Sequence, residues 1–308
     1  MTTIPQVSVV MSVYNGANTL RDSVESVLSQ EGVDVECIIV NDGSTDNSGQ
    51  LLDELAAKDS RVRIIHQPNL GLTKALIRGC SEAKGVYIAR QDAGDLYLPG
   101  KLNQQVEVLN SHPAVSFVSC GARVVGPGGE HLYDLVSDEG DLTQHLLILD
   151  IDKLRGVFGH GSVLFRRDLY ERVGGYRQEF YFGQDLDLWV RLAEVGRFLM
   201  LPEILFQIEF SPNSISGHHR SNQILLAKLI LECARRRRAG ASEEEPLAQA
   251  STIRPSARPK SASDIAAALY FVGTCLSKHR DPRARRYYRE ALRANPLHFR
   301  SAIRLLLG

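Results

Sequence analysis

The feature that most restricts the fold is an alternation that repeats between residues 7 and 90. A continuous apolar, largely β-branched run, VSVVMSV (7–13), is broken by Tyr14-Asn15-Gly16. A helical pattern follows, with Leu20, Val24, Val27 and Leu28 on one side. VECIIV (35–40), VRIIH (62–66) and VYIAR (86–90) repeat the theme, with helices predicted at about 47–58 and 72–83. Apolar runs without polar alternation read as strands buried on both faces, as in a parallel sheet covered by helices on each side. Repeated β-α units are accommodated by the doubly wound, right-handed arrangement. Ligands then bind beyond the carboxyl ends of the strands. That singles out loops 12–16, 41–46, 67–71 and 91–98.

The second half is less regular. The pattern predicts a helix at about 99–111, one or two strands over SFVSCGARVV (116–125), and a turn at GPGG (126–129). It predicts a strand over 161–167, a short helix capped by Asp168, an amphipathic helix over 185–195, and strands near 198–201 and 204–210. Residues 1–216 are therefore taken as the main domain and 217–238 as a connecting helix. The Ala/Ser/Glu/Arg/Pro-rich stretch 239–262 reads as a flexible linker. Residues 263–308 read as a basic helical tail, in which ARRYYREALRANP resembles one helix of a tetratricopeptide repeat.

Charge divides the chain. Residues 1–216 hold 18 basic and 29 acidic side chains, whereas 217–308 hold 18 and 7, so the zero net charge hides −11 and +11. The basic half predicts contact with something anionic, either the acidic domain or a membrane surface. No run of about 18 apolar residues is present, so no membrane-spanning helix is expected. The opening MTTIPQVSVV has no basic region before its apolar run and does not read as a secretory signal. Five cysteines stand far apart without CxxC spacing. That argues against zinc and disulfides, and for a reducing cytoplasm.

The chemistry-bearing residues are acids at strand ends. Asp42 closes the second strand, Asp92 and Asp95 follow the fourth in RQDAGDLYLP, and Asp185 and Asp187 lie in GQDLDLW. A lone Asp at such a junction is a turn former. An ordered set on a β-α repeat converges on one crevice, which suits a nucleoside diphosphate and a divalent cation held by hard oxygens. The same residues carry a resemblance. VSVVMSVYN, IIVNDGSTDNS, PNLGLTKALIRG, YIARQDAGDLYLPGKL, HGSVLFRRDLYERVGGY and FGQDLDLWVRL, in that order over residues 6–216, resemble the family 2 inverting glycosyltransferases of GT-A fold. That fold is Rossmann-like, with a mostly parallel sheet and helices on both faces, here followed by the helical tail.

The resemblance implies roles. Ser12, Val13 and Tyr14 would line a base pocket, and Asp42 would accept from the base. Asn69, Gly71 and Lys74 match a third nucleotide loop, and Arg90 would also bind the nucleotide. Asp92 would serve ribose and metal, sharing Mn²⁺ or Mg²⁺ with Asp95. Asp185 would be the catalytic base. Gln184, Asp187, Trp189 and His160 would shape the acceptor side. The implied partners are a nucleotide-sugar donor and a saccharide or lipid-linked acceptor, with peripheral contact at the inner face of a membrane.

Three departures stand out. Gly94 replaces the second acid of the family's DxD element. Gln184 replaces a Glu beside Asp185, so Asp185 is expected to ionise more readily. Glu209 and Ser211 replace basic or His positions, which leaves Arg90, Lys74 or His218 as cations for a diphosphate. Other readings are weaker. A nucleotidyltransferase should carry a glycine-rich phosphate loop, and SVYNGAN has one glycine. A non-catalytic scaffold that binds nucleotide sugar draws support from Gly94 and Glu209. A nucleic-acid binder lacks the interleaved aromatics.

Overall fold

The computed structural model describes residues 4–137, 140–154, 157–211, 220–255 and 261–307. The alternation folds as expected: β1 (Val7–Val13), α1 (Leu20–Leu28), β2 (Val35–Asp42), α2 (Ser48–Lys58), β3 (Val62–Gln67), α3 (Leu72–Ser81) and β4 (Tyr87–Asp92). Then come β5 (Leu96–Tyr97), α4 (Lys101–Ser111), β6 (Val115–Val125), β7 (His131–Leu135), β8 (Gly140–Asp141) and α5 (Thr143–Leu147). The main domain ends with β9 (Leu164–Arg166), α6 (Arg167–Arg172), α7 (Gln184–Ala193) and β10 (Arg197–Glu209). The helical remainder is α8 (Arg220–Arg238), α9 (Glu244–Thr252), α10 (Ala262–Lys278), α11 (Ala284–Ala294) and α12 (Phe299–Leu307).

These ten strands form one sheet, β3-β2-β1-β4-β9-β6-β10-β5, with β7 added on β6 and β8 on β10. The pairs β3-β2, β2-β1, β1-β4 and β6-β10 are parallel, and β9 enters antiparallel between β4 and β6. Alternate residues of β1 explain why its sequence is apolar throughout. Val7, Val9, Met11 and Val13 face a core shared with α1 and α4, whereas Val10 faces a second core shared with α3 and α7.

Several boundaries differ from the sequence reading. The two strands expected at 198–201 and 204–210 are one strand, β10, whose register shifts between Leu201 and Phe206. Pro202 explains the apparent gap, because it lacks a ladder donor and is tolerated at a bulge. The bulge presses on β6: a Cβ on Gly121 would sit 2.9 Å from the Glu203 carbonyl oxygen. The strand expected at 161–167 shrinks to Leu164–Arg166, preceded by a 3₁₀ turn at His160–Ser162. Arg166 rather than Asp168 takes the N-cap of α6, and Asp168 lies in the first turn, where it complements the helix dipole. The stretch read as flexible linker contains α9.

The basic helices are fixed to the main domain. Leu226 and Ile230 of α8 pack on Phe180 and Phe182. Val272, Leu276, Tyr287 and Tyr288 of α10 and α11 pack on Val124 and Leu132, and the buried Tyr287 hydroxyl donates to Glu130 at 2.8 Å. The run Arg235–Arg238 finds its anions within the chain. Arg237 and Arg238 meet Glu194, Arg237 also meets Glu243, and Arg236 meets Glu232 and Glu245. Among the described residues no helix is long and apolar enough to cross a membrane.

One core residue conflicts with its surroundings. Lys101 is fully buried at the start of α4, with Nζ donating to Gln105 Oε1 at 2.9 Å and 4.0 Å from the Tyr97 ring centroid. Burial pushes its amine down to about 8. The unfolded chain binds this proton more tightly, so the penalty is complete below pH 8 and vanishes as pH rises towards the unfolded value, about 10.4. It amounts to something on the order of 3 kcal/mol. Lys101→Met should therefore unfold at higher denaturant than wild type at pH 7, with the gap closing by pH 10. Parallel stability curves, or a variant weaker at every pH, would contradict this.

Candidate functional site

Strand register places the expected residues at one edge. Ser12 is opposite Val40 on one side and Asp92 on the other, and Val13 is opposite Asn41. The ends of β2 and β4, carrying Asp42 and Asp92, thus flank the end of β1. Val13 is buried, Ser12 half-buried and Tyr14 exposed. Asp42 is buried and organises its neighbour loop. Its Oδ1 accepts from Gln67 Nε2 at 2.8 Å and from the Leu70 amide at 2.8 Å, and its Oδ2 accepts from the Gly71 amide at 2.9 Å. A carboxylate has about four acceptor positions, so roughly one remains for a ligand.

A latch that the sequence reading missed holds the loop after β1. Asn15 adopts φ 54°. Its Oδ1 accepts from the Thr45 amide at 2.8 Å, and its own amide donates to Ser44 Oγ at 3.0 Å. Gly16 donates to Ser48 Oγ at 2.9 Å and Ala17 to Asp46 Oδ2 at 3.2 Å. The signal was present in NDGSTDNS, whose Ser, Asp and Thr side chains favour such turns.

Beyond β4 the edge is strongly charged. Arg90 is buried, forms an ion pair with Asp92, and leaves its Nε without a hydrogen-bond partner among the described residues. Burial pulls its pKa down, opposed by Tyr176, Asp95 and Asp185. Asp95 accepts from the Glu209 amide at 3.0 Å. Burial pushes its carboxyl up to about 7, with Glu209 adding to the rise while that amide and Arg90 oppose it. Burial also raises Glu209. Gly94 has φ +106°, and a Cβ there would lie 3.6 Å from Glu209 Oε2. Glu209, read in the sequence only as a lost cation, therefore brings a carboxylate beside the position where the family acid is missing.

These acids bear on the expected cation. Among the described residues no three His, Cys, Asp or Glu side chains are grouped to hold a metal unaided. The donor set instead suits Mg²⁺ or Mn²⁺ held by one or two carboxylates together with substrate phosphates. Asp92 is partly exposed, with Asp95 and Glu209 as further acids. Of the other expected cations, Lys74 is exposed on α3 and His218 lies outside the described residues.

Asp185 begins α7 after Gly183, which caps the helix at φ 72°. It lines a cavity of about 260 Å³ with Leu146, Val157, Phe158, Leu186 and Trp189. Among the described residues, Asp185 is the only ionisable one in that lining. The expectation that it ionises readily is corrected: burial raises its pKa, and the Leu186 amide, 2.9 Å from Oδ1, together with Arg90 only offsets the rise. Trp189 is buried, stacks on Phe117 at 5.3 Å and leaves Nε1 without a hydrogen-bond partner among the described residues. Gln184 is buried, and its Oε1 has no hydrogen-bond partner among the described residues.

Two residues expected on the acceptor side are held by partners within the fold. Asp187 is buried in an ion-pair cluster, held by Arg191 and 3.7 Å from Arg177. His160 is buried, bonds Tyr176 Oη at 2.6 Å and packs edge-on to Trp189. Burial holds its pKa well below the usual value, so it is neutral and supports Trp189 from behind.

Asn69, Gly71 and Lys74 do come together. They line a polar cavity of about 300 Å³ with Gln178, Tyr181 and Arg254. Arg254 was missed because it lies in the stretch read as linker.

Comparison with known proteins places this geometry in context. Residues 8–174 match the family described as Glycosyl transferase family 2. "Putative glycosyltransferase EpsE" of Bacillus subtilis (strain 168) is 32% identical over 240 residues, covering 75% of this chain and 83% of that protein. An "Uncharacterized glycosyltransferase" of Rickettsia bellii is 30% identical over 231 residues, covering 73% of this chain, and the chain spans only 33% of that relative's length. Among solved structures, S. aureus TarS 1-349 in complex with UDP superposes with TM-score 0.56 at 14% identity, covering 94% of this chain and 88% of that one, a likeness of fold.

Proposed function

Because the chain belongs to glycosyl transferase family 2, we propose that it transfers a sugar from a nucleotide-sugar donor to a hydroxyl acceptor, with inversion and assistance from Mn²⁺ or Mg²⁺. The observation that carries this reading is the set of acids around one buried guanidinium. Asp92 pairs with Arg90, and Asp95 and Asp185 both feel its charge, at the carboxyl edge where a donor would lie. A diphosphate entering so acidic an edge is repelled unless a cation comes with it. The cation, held by Asp92 with help from Asp95 or Glu209, would neutralise charge on the departing diphosphate.

The chain's own residues do the rest. Asp42 holds the 67–71 loop against which the base rests. Asp185, at the mouth of the apolar cavity, takes the proton of the acceptor hydroxyl as that oxygen attacks the anomeric carbon from the face opposite the leaving group. A single displacement of this kind inverts configuration. Burial makes Asp185 a stronger base than an ordinary Asp, which favours general-base catalysis. The apolar walls Leu146, Phe158 and Trp189 limit water that would compete as acceptor. The family likeness, and a fold neighbour solved with UDP, support uridine nucleotides as the first donors to try.

A peripheral contact with an anionic membrane would suit a lipid-linked acceptor. Of the leucines on α8 and α12, Leu226 and Leu229 are buried, Leu305 packs against the core, Leu225 is exposed and the side chain of Leu307 lies outside the described residues. The available ridge is on and beside α12, where Leu297, Phe299, Ile303 and Leu306 are exposed and Arg300 is adjacent. Positions 299, 303 and 306 share one helical face. Full-length protein should co-sediment with phosphatidylglycerol vesicles at low salt, and Phe299→Ser with Leu306→Ser should reduce this. Wild-type protein that stays in the supernatant would refute the contact.

The catalytic reading is tested by initial rates over a nucleotide-sugar panel, with Mn²⁺ and with EDTA. Asp185→Asn should lose about 10²–10⁴ in rate while keeping nucleotide affinity. The wild-type rate should fall as pH drops through the raised Asp185 pKa. Near-wild-type turnover by the variant would remove Asp185 from the base role. Nucleotide-sugar binding without turnover by wild type would favour the scaffold reading.

A further inference from the structure

The cavity beside Asp185 has a lining poorly suited to a sugar ring. It measures about 260 Å³ and is walled by Leu146, Leu154, Val157, Phe158, Leu186 and Trp189. Leu154, Val157, Phe158 and Leu186 are only half-buried, so apolar surface is left uncovered there. The opposite wall is firm. Trp189 stacks on Phe117 at 5.3 Å and meets Phe165 edge-on at 5.7 Å, and Leu146 is buried in the same core.

Polar capacity in this lining is small. Asp185 is the one ionisable group among the described residues, and its Oδ1 already accepts from the Leu186 amide. Gly159 also lines the cavity, but its carbonyl accepts from the Ser162 amide at 3.3 Å and from Ser162 Oγ at 2.8 Å. Trp189 Nε1 is a single donor, shut off from solvent. A sugar ring seated here would bring several hydroxyls and find a partner for about one. Every hydroxyl buried without a partner opposes binding. A hydrocarbon bearing one hydroxyl meets both conditions: its oxygen reaches Asp185 and its skeleton covers the apolar wall. The size agrees, since a dry apolar cavity of about 150 Å³ holds benzene.

We propose that the hydroxyl glycosylated by this protein is borne on a hydrocarbon, an aliphatic or aromatic alcohol whose apolar skeleton fills the cavity beside Asp185. This rests on the transfer reading given above and narrows its acceptor class. The alcohol oxygen bonds to the anomeric carbon and its proton passes to Asp185. The bond from that carbon to the diphosphate breaks, and its electron pair leaves with the nucleoside diphosphate.

Trp189 is the only tryptophan in the sequence, so its fluorescence reports directly on this cavity. Full-length protein is titrated with benzyl alcohol, 1-octanol and methyl β-glucoside. At least one of the two alcohols should give a saturable change, with the glucoside at least about tenfold weaker. Whichever alcohol saturates at the lower concentration separates the aromatic from the aliphatic source. Val157→Asp puts a charge in the wall and Val157→Phe fills the space. Each should weaken the favoured alcohol about tenfold or more, with melting temperatures to check folding. A second arm supplies all three compounds together with the nucleotide sugar turned over in the panel above, and identifies products by mass spectrometry. The glycosylated alcohol should form. The proposal is overturned if neither alcohol gives a saturable response, if the glucoside responds equally, or if both variants bind as wild type does. Transfer to the glucoside alone, or to none of the three, would overturn it as well. If no nucleotide sugar is consumed, the transfer reading itself fails, while the titration still decides what the cavity holds.

Discussion

A guanidinium buried at the end of β4 is the constraint around which the site is arranged. Arg90 has lost its water and cannot lose its proton. A buried charge left alone is costly, and removing one partner of such a group costs about 3–5 kcal/mol. Asp92 pairs with it directly, and Asp95 and Asp185 stand within its field. The carboxylates outnumber the cation, and burial, with a smaller contribution from Glu209, pushes the Asp95 carboxyl up to about 7. An edge built this way is stable as a protein surface and unfinished as a phosphate site. Under the proposed reading a diphosphate would need a further positive charge to enter it, which is the ground for proposing metal-assisted transfer.

The second constraint is geometric. Asp42 uses both carboxylate oxygens to hold the loop that follows β3, and the Asn15 latch holds the loop that follows β1. Two loops that would otherwise sample many conformations are fixed before any ligand arrives, which lowers the entropy lost on binding. The docked helices extend the same logic. Glu194 and Glu243 receive Arg237, and the Phe180–Phe182 wall receives α8, so chain outside the family region reaches the pocket in a defined place.

The sheet was legible because burial on both faces leaves an uninterrupted apolar signature, as in VSVVMSV and VECIIV. Strand-end acids were legible by their order. Environment was not. Asp185 was expected to ionise readily because a neighbouring charge was absent, yet desolvation by the folded cavity dominates its pKa. Asp187 sits two positions away and faces Arg191 across one helical turn, a pairing that motif position conceals. The 239–262 stretch looked like linker by composition. Tertiary packing of Ala250 and Ile253 orders part of it, and composition carries no record of such contacts. Glu209 was visible only as a missing cation until β10 delivered it beside Gly94.

The central claim is that one crevice, at the carboxyl ends of β1, β2 and β4, receives the donor nucleotide. Hydrogen–deuterium exchange read by mass spectrometry, with and without UDP or GDP and Mn²⁺, tests it directly. The account predicts slower exchange in 12–16, 67–71 and 90–97. Exchange unchanged in those segments, or protection confined to the separate surface cavity at His131, His279 and Arg283, would contradict it.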